Sequence, residues 1–496
     1  MQTEVTRAAP AAFERFRRVV NRPLVALVAV GIIAAFVRFA HLGYPQRRIF
    51  DEYYYSKSAC IFLGYDNDTC DVNSHDERYW RRERGDTGAW VHPPLGKWTI
   101  ALGELAFRVD PFGWRVASAV AGTLSVLAVA GLAQLLFGRP IWTFVAGLLL
   151  ATESLHVVQS RVAMLDVFVA AWIVVGFLLL LLDRRWIERR TPSAAPEPAG
   201  GDPRVPEVPP RPTSVPEPVL RPWRLAAGVA FGAAVASKWS GVTGIGVAVL
   251  LSLMWERTRR KEAGLAHPLW RALQAEGFGV VVSLLLVPAA VYVASYAAWF
   301  AEHGWDLRGW LELQGAMASY HIGLKVTDAS GEPIHPYLSQ AWTWPFLVRP
   351  VLYFARYPGE GIRQVIYANG NPAIFWGAVL AVPLTAYRWW RDRDWRAGFV
   401  AVCALGLYAP WLLVSRPQFL FYATPISPFL VLACVFSLRW LSELRIAGSR
   451  SRPYLPFVVG YVVLSVGLFI WFWPVLTGGV LSDEAFRLRA WFPGWT

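Results

Sequence analysis

Cysteine is scarce, four residues in 496, too few to staple a fold with disulfides. Cys403 and Cys434 fall inside apolar runs and read as small packing residues, whereas Cys60 and Cys70 share a polar loop where a bridge is permitted but not required. The polar–apolar alternation of a membrane β-barrel is missing, which excludes that class. No small-residue cleavage site follows the basic N-terminus and its apolar run, so a retained first helix is expected rather than a signal peptide. Internal repeats and ionisable groups in mid-helix, the marks of a transporter, are missing as well. So are metal-ligand spacings of His, Cys and Asp. The acidic string Asp66, Asp68, Asp71 and Asp76 lacks the central glycine of a calcium loop, and no metal or cofactor is expected.

Hydrocarbon is what the chain has in excess: 55% of residues are hydrophobic and 26 are Trp, too apolar for an ordinary soluble domain of this length. Apolar runs of the length a helix needs to span a bilayer recur from Leu24 to Pro474. The net charge of +13 does not indicate nucleic acid, because the basic residues cluster between apolar runs in the positive-inside pattern. These clusters are Arg15/Arg17/Arg18/Arg22, Arg184/Arg185/Arg189/Arg190, Arg257/Arg259/Arg260/Lys261, Arg388/Arg391/Arg393/Arg396 and Arg439/Arg445/Arg450/Arg452, and each is expected in the cytoplasm.

The expected fold is an all-α polytopic membrane protein with about eleven transmembrane helices. Residues 1–23 form a cytoplasmic N-terminus, and 24–190 hold helices 1–4 with a large external loop over 43–111. Residues 191–222, rich in Pro, Glu, Ala and Ser, read as a disordered cytoplasmic linker. Residues 223–474 hold helices 5–11 with a second external loop over 299–371, rich in Trp and Tyr, and 475–496 form an external tail. Helix 3 is expected near Ile141–His156, helix 4 from Val162 and helix 10 from Phe419.

The candidate chemistry gathers on the external side. Asp51-Glu52 follow helix 1, and His92-Pro93-Pro94-Leu95-Gly96-Lys97 comes later in the same loop. Arg115 lies at the outer end of helix 2, Ser160-Arg161 with Leu165-Asp166 at helix 4, Lys238 in a short external turn, and Arg416 before helix 10. Any single cation here reads equally well as a snorkelling anchor, and the acidic pair alone as a solvated face. Together, several cations and at least two carboxylates suit a reaction in which cations hold a lipid phosphate while a carboxylate takes a proton.

These residues, with Phe50, Ser237-Lys238-Trp239-Ser240-Gly241, His335-Pro336-Tyr337, Trp342-Thr343-Trp344-Pro345 and Gly370-Asn371-Pro372-Ala373, resemble the protein O-mannosyltransferase family in its bacterial, actinobacterial form. The motifs run in order from helix 1 to helix 10, and only Phe419–Pro425 matches loosely. The resemblance implies the GT-C architecture of polytopic glycosyltransferases. It also implies transfer of mannose from polyprenyl phosphate mannose to Ser or Thr of exported, Ser/Thr-rich proteins, met during export at the plasma membrane. By the same resemblance, Asp51 is the catalytic base, Glu52 its neighbour in acceptor or sugar binding, and Arg115 an essential arginine. The second external loop is too short for the MIR domain of eukaryotic members. Lys97, Arg115, Arg161, Lys238 and Arg416 are the candidates for holding the donor phosphate, and His92 and Asp166 for sugar or acceptor. Direct attack by the hydroxyl would invert the anomeric centre. The alternatives are a related lipid-phosphate-sugar transferase with a lipid or glycan acceptor and, from another class, a transporter.

Overall fold

A computed structural model describes residues 22–73, 90–191, 220–445 and 451–495. Arg15, Arg17, Arg18, Asp76, Arg450 and nearly all of the 191–222 linker lie outside them.

Helix α1 (Pro23–Phe39) leads into the first polar segment, whose described residues include the short helices α2 (Glu52–Phe62) and α3 (Leu95–Phe107). Long α4 (Pro111–Phe137) is capped by Asp110, whose Oδ1 accepts the Gly113 N–H, and ends at left-handed Gly138. The expected helix 3 is broken: α5 (Pro140–Ala151) stops at Thr152, and α6 (Ser154–Gln159) restarts because Glu153 accepts the amides of Leu155 and His156. Helix α7 (Leu165–Glu188) begins three residues later than expected, since 161–164 form a turn.

Helix α8 (Pro222–Ser237) packs along α7. A 3₁₀ turn links it to α9 (Val242–Glu262). Then α10 (Pro268–Val281) and α11 (Val287–Ser295) form one rod interrupted by a π turn at Val282–Leu286, beside Pro288, which has no N–H to donate. Gly228 lets α8 touch this rod: a Cβ there would lie 1.8 Å from the Ser283 carbonyl oxygen.

The second polar segment holds α12 (Ala297–His303), α13 (Leu307–Gly323) and the antiparallel strands β1 (Val351–Gly359) and β2 (Ile362–Ala368). Helices α14 (Pro372–Asp392), α15 (Trp395–Tyr408), α16 (Ser427–Glu443) and α17 (Leu455–Thr477) follow, and β3 (Val480–Ser482) adds to β2 before the short α18 (Asp483–Arg487). The helical fold that the sequence implies thus carries one small addition, a three-stranded sheet in which Val365, Ile366 and Tyr367 are buried. Helix 10 starts at Ser427 rather than Phe419, because a 3₁₀ turn occupies Leu420–Ala423 ahead of Pro425.

Six helices or continuous helical stretches are long and apolar enough to cross a membrane among the described residues, and α1 and α5 are shorter apolar helices. Beside the main core, a second apolar cluster joins the two polar segments: Ile61, Val72 and Trp90 pack against Tyr296, Trp299, Trp310 and Met317. A Cys60–Cys70 disulfide closes the near side of that cluster.

Candidate active site

The chain reaches the site through Phe50, a non-glycine residue at φ +47°. Such a conformation persists only where packing enforces it. Here the Phe50 ring stacks on Tyr353 at 4.3 Å and meets the edge of Phe421 at 5.7 Å. The turn puts Asp51 at the N-terminal boundary of α2 and Glu52 in its first turn, so the two carboxylates diverge.

Glu52 is fully buried and faces α4. Its oxygens accept Arg115 Nε at 2.7 Å and Nη2 at 2.8 Å, together with the amides of Ile49 and Ala163 at 3.0 Å each. Arg115 spends its remaining N–H groups on the carbonyls of Leu42, Pro45 and Arg47. All five guanidinium donors are engaged by protein, so neither Arg115 as a phosphate ligand nor Glu52 as a group facing substrate fits this geometry. Arg161 departs from expectation for a related reason: Nη1 donates to the carbonyls of Val37 and Arg38 and Nη2 to that of His41, capping the end of α1.

Asp51, by contrast, is mostly rather than fully buried and lies within electrostatic reach of a second ion pair. Lys238 donates to both oxygens of Asp166 at 2.9 and 2.8 Å, and its ammonium sits 4.6 Å from the centre of the Tyr422 ring. Asp166 thus anchors Lys238. Burial pushes the Asp51 carboxyl up to about 6, with Lys238 opposing and Asp166 adding to the rise; Tyr55 Oη donates a long 3.4 Å bond to it.

Next to this group opens a cavity of about 460 Å³ lined by His92, Lys238, Trp239, Ser240, His321 and Arg416 among others. His321 Nδ1 accepts from Arg416 Nη1 at 3.1 Å while Nε2 donates to the Val91 carbonyl at 3.0 Å, which fixes the tautomer. Its ring stacks on His92 at 5.0 Å. Burial and the neighbouring cations lower His321 to about 4 and His92 well below its usual range, so both rings are neutral at pH 7. Lys97 donates to the His92 carbonyl at 3.2 Å, and burial brings its ammonium down to about 7. The structure therefore brings His92, Lys238 and Arg416 around one space and adds His321, with Lys97 behind His92 and with Asp166 and Asp51 grouped about Lys238. Nothing near His321 in the sequence marks it out, because its partners Val91 and Arg416 are remote along the chain.

Residues 28–193 match the family described as dolichyl-phosphate-mannose-protein mannosyltransferase, and residues 306–495 match the C-terminal four TMM region of protein-O-mannosyltransferase. A polyprenol-phosphate-mannose–protein mannosyltransferase of Mycolicibacterium smegmatis is 33% identical, with 93% of this chain and 91% of that one covered. Its namesake from Mycobacterium tuberculosis is 31% identical, with 94% and 90% covered. The chain belongs to the protein O-mannosyltransferase family.

The protein O-mannosyltransferase Pmt1-Pmt2 complex of S. cerevisiae, solved with its sugar donor, superposes with a TM-score of 0.71 at 14% identity, covering 95% of this chain and 92% of that one. ArnT of Cupriavidus metallidurans, solved with undecaprenyl phosphate, gives 0.51 at 16% identity, with 94% and 72% covered. Both likenesses show the fold, which is GT-C, and the chain is a polytopic membrane mannosyltransferase. For an O-mannosyltransferase the site offers a carboxylate poised to accept a proton beside a cavity that carries fixed positive charge.

Proposed function

We propose that the protein moves mannose from polyprenyl phosphate mannose to Ser or Thr hydroxyls of exported proteins, at the extracytoplasmic face of the plasma membrane, with inversion at C1. The observation that carries this reading is Asp51, a carboxylate raised to about 6 and coupled electrostatically to Lys238, which lines a cavity together with Arg416. In the step, the acceptor oxygen forms a bond to C1 as the C1–O bond to the lipid phosphate breaks. The hydroxyl proton passes to Asp51, and the phosphate leaves with the bonding pair.

Lys238 and Arg416 stabilise the departing phosphate, and His321 keeps Arg416 aimed into the cavity. Lys97 adds positive charge when a phosphate draws a proton onto it. Glu52, Arg115 and Arg161 act as positioning residues that hold the Asp51 turn and the end of α1. An apolar cleft of about 300 Å³ between α14, α15 and α16 includes Ala423, next to Tyr422, and suits part of a prenyl chain.

The test is transfer by the purified protein from polyprenyl phosphate mannose to a peptide rich in Ser, Thr and Pro, with the product linkage read by NMR. A mannosyl peptide of the anomer opposite to the donor's is expected. A mannosylated lipid or glycan with unmodified peptide would replace this reading with the lipid- or glycan-acceptor alternative.

A further inference from the structure

At the other end of α7, roughly 26 Å along the helix from Asp166 to Asp183, charged side chains are buried that the transfer reaction does not use. Arg221 donates to Asp183 at 3.0 Å and to Glu256 at 2.7 Å, Arg224 to Glu276 at 2.7 Å, and Arg260 to Glu256 at 2.6 Å. Arg259 also bonds Glu256. Three buried carboxylates, Asp183, Glu256 and Glu276, thus face the guanidiniums of Arg221, Arg224, Arg259 and Arg260. A fifth, Arg184, lies over the Trp395 ring at 4.1 Å and pairs with Glu188 at the rim.

All of these but Arg260 and Glu276 line a cavity of about 280 Å³ bounded by the end of α7, the start of α8 and the end of α9. Arg224, only 1% exposed, lines it, and its Nε and Nη2 have no hydrogen-bond partner among the described residues. Unsatisfied guanidinium donors in a low-dielectric pocket are costly unless an anion meets them. A planar fork of N–H groups is the arrangement that phosphate oxygens fit. The acidic lining residues Glu188 and Glu262 are exposed at the mouth, where water screens them.

We propose that this cavity is a binding site for a phosphate group, distinct from the donor site and at the opposite end of the bundle. The Arg224 fork holds the phosphate from within and Arg184 holds it from the mouth. The same chemistry is offered by an anionic phospholipid headgroup and by free phosphate, and the experiment separates the two.

Delipidated full-length protein in detergent is titrated with dioctanoyl phosphatidylglycerol, with inorganic phosphate, and with dioctanoyl phosphatidylcholine as the net-neutral control. Thermal unfolding is the readout. A saturable rise in Tm with phosphatidylglycerol, its half-point moved at least tenfold by Arg224→Gln and by Arg184→Gln, supports a lipid headgroup site. The same pattern with inorganic phosphate alone supports a site for the free ion. No rise with either anion, or a rise that both variants keep, overturns the proposal. Should Arg224→Gln fail to fold, Arg184→Gln decides, because Arg184 is partly exposed and its loss leaves the buried pairs intact.

Discussion

Asp51 is the residue on which the proposed chemistry turns, and its burial, the cause of the raised pKa, makes two outcomes measurable. The base works only when ionised, so kcat/KM should fall about tenfold per pH unit below an apparent pKa of about 6 and level off above it. A pH–rate profile with a subsaturating acceptor peptide checks this, and an acid limb centred near 4 would mean that another carboxylate is the base. Asp51→Asn keeps the shape but cannot take the proton, and should lower kcat by about 10²–10⁴-fold with donor binding nearly unchanged. The sign of linkage gives a structural control. A carboxylate whose folded pKa is raised binds its proton more tightly in the folded state, so stability is lost as pH rises from the unfolded value of 3.8 through about 6. Above that range Asp51→Asn should unfold at a Tm no lower than the parent, which separates lost chemistry from lost structure. The place of Asp51 beside the end of a helix was readable from sequence, as was its divergence from Glu52, since neighbours in a turn point different ways; that Glu52 is the one turned to Arg115 was not, because that depends on the left-handed turn at Phe50.

Between elements, Glu52 and Arg115 clasp α2 to α4 and to the segment leaving α1, with Ala163 held on the same carboxylate. Removing one partner leaves the other charged and buried. Glu52→Gln and Arg115→Met should each cost about 3–5 kcal/mol, and the double variant less than their sum. Chemical or thermal unfolding in detergent measures this, and an Arg115→Met protein of parental stability that had lost only donor affinity would return Arg115 to the phosphate. The Cys60–Cys70 bridge works at the same scale, tying the end of α2 to the segment that packs beneath Trp90 and α13. By the entropy of a loop this short, Cys60→Ser with Cys70→Ser should lower stability by about 2–3 kcal/mol. An unchanged midpoint would show that the aromatic cluster alone holds the loop. Sequence spacing permitted that bridge without requiring it, because a disulfide depends on where α2 ends and on how the chain returns.

Across the whole molecule, the basic residues Arg184, Arg185 and Arg259 and the site lie at opposite ends of α7, and the positive-inside pattern turns that geometry into an expected orientation. In a background without Cys60 and Cys70, where Cys403 and Cys434 are buried, a Ser193→Cys probe should react with an impermeant thiol reagent only after the membrane is opened. A Lys325→Cys probe should react in intact cells. Reversed labelling would put the site on the cytoplasmic face and remove exported proteins as acceptors.

The sequence by itself determined the membrane class, the positions of most helices and the order of the motifs, because apolar length and local residue type are properties of single segments. It could not foresee the break at Thr152, where Glu153 begins a new helix, or the sheet that β3 completes from beyond α17. Nor could it separate the cations. Arg115, Arg161, Lys238 and Arg416 look alike as basic residues near helix ends, yet carbonyls and Glu52 consume the first two while the last two line the cavity. Only tertiary structure decides this, because a guanidinium's role depends on which acceptors lie within 3 Å of it, and those acceptors come from chain segments that packing alone brings together.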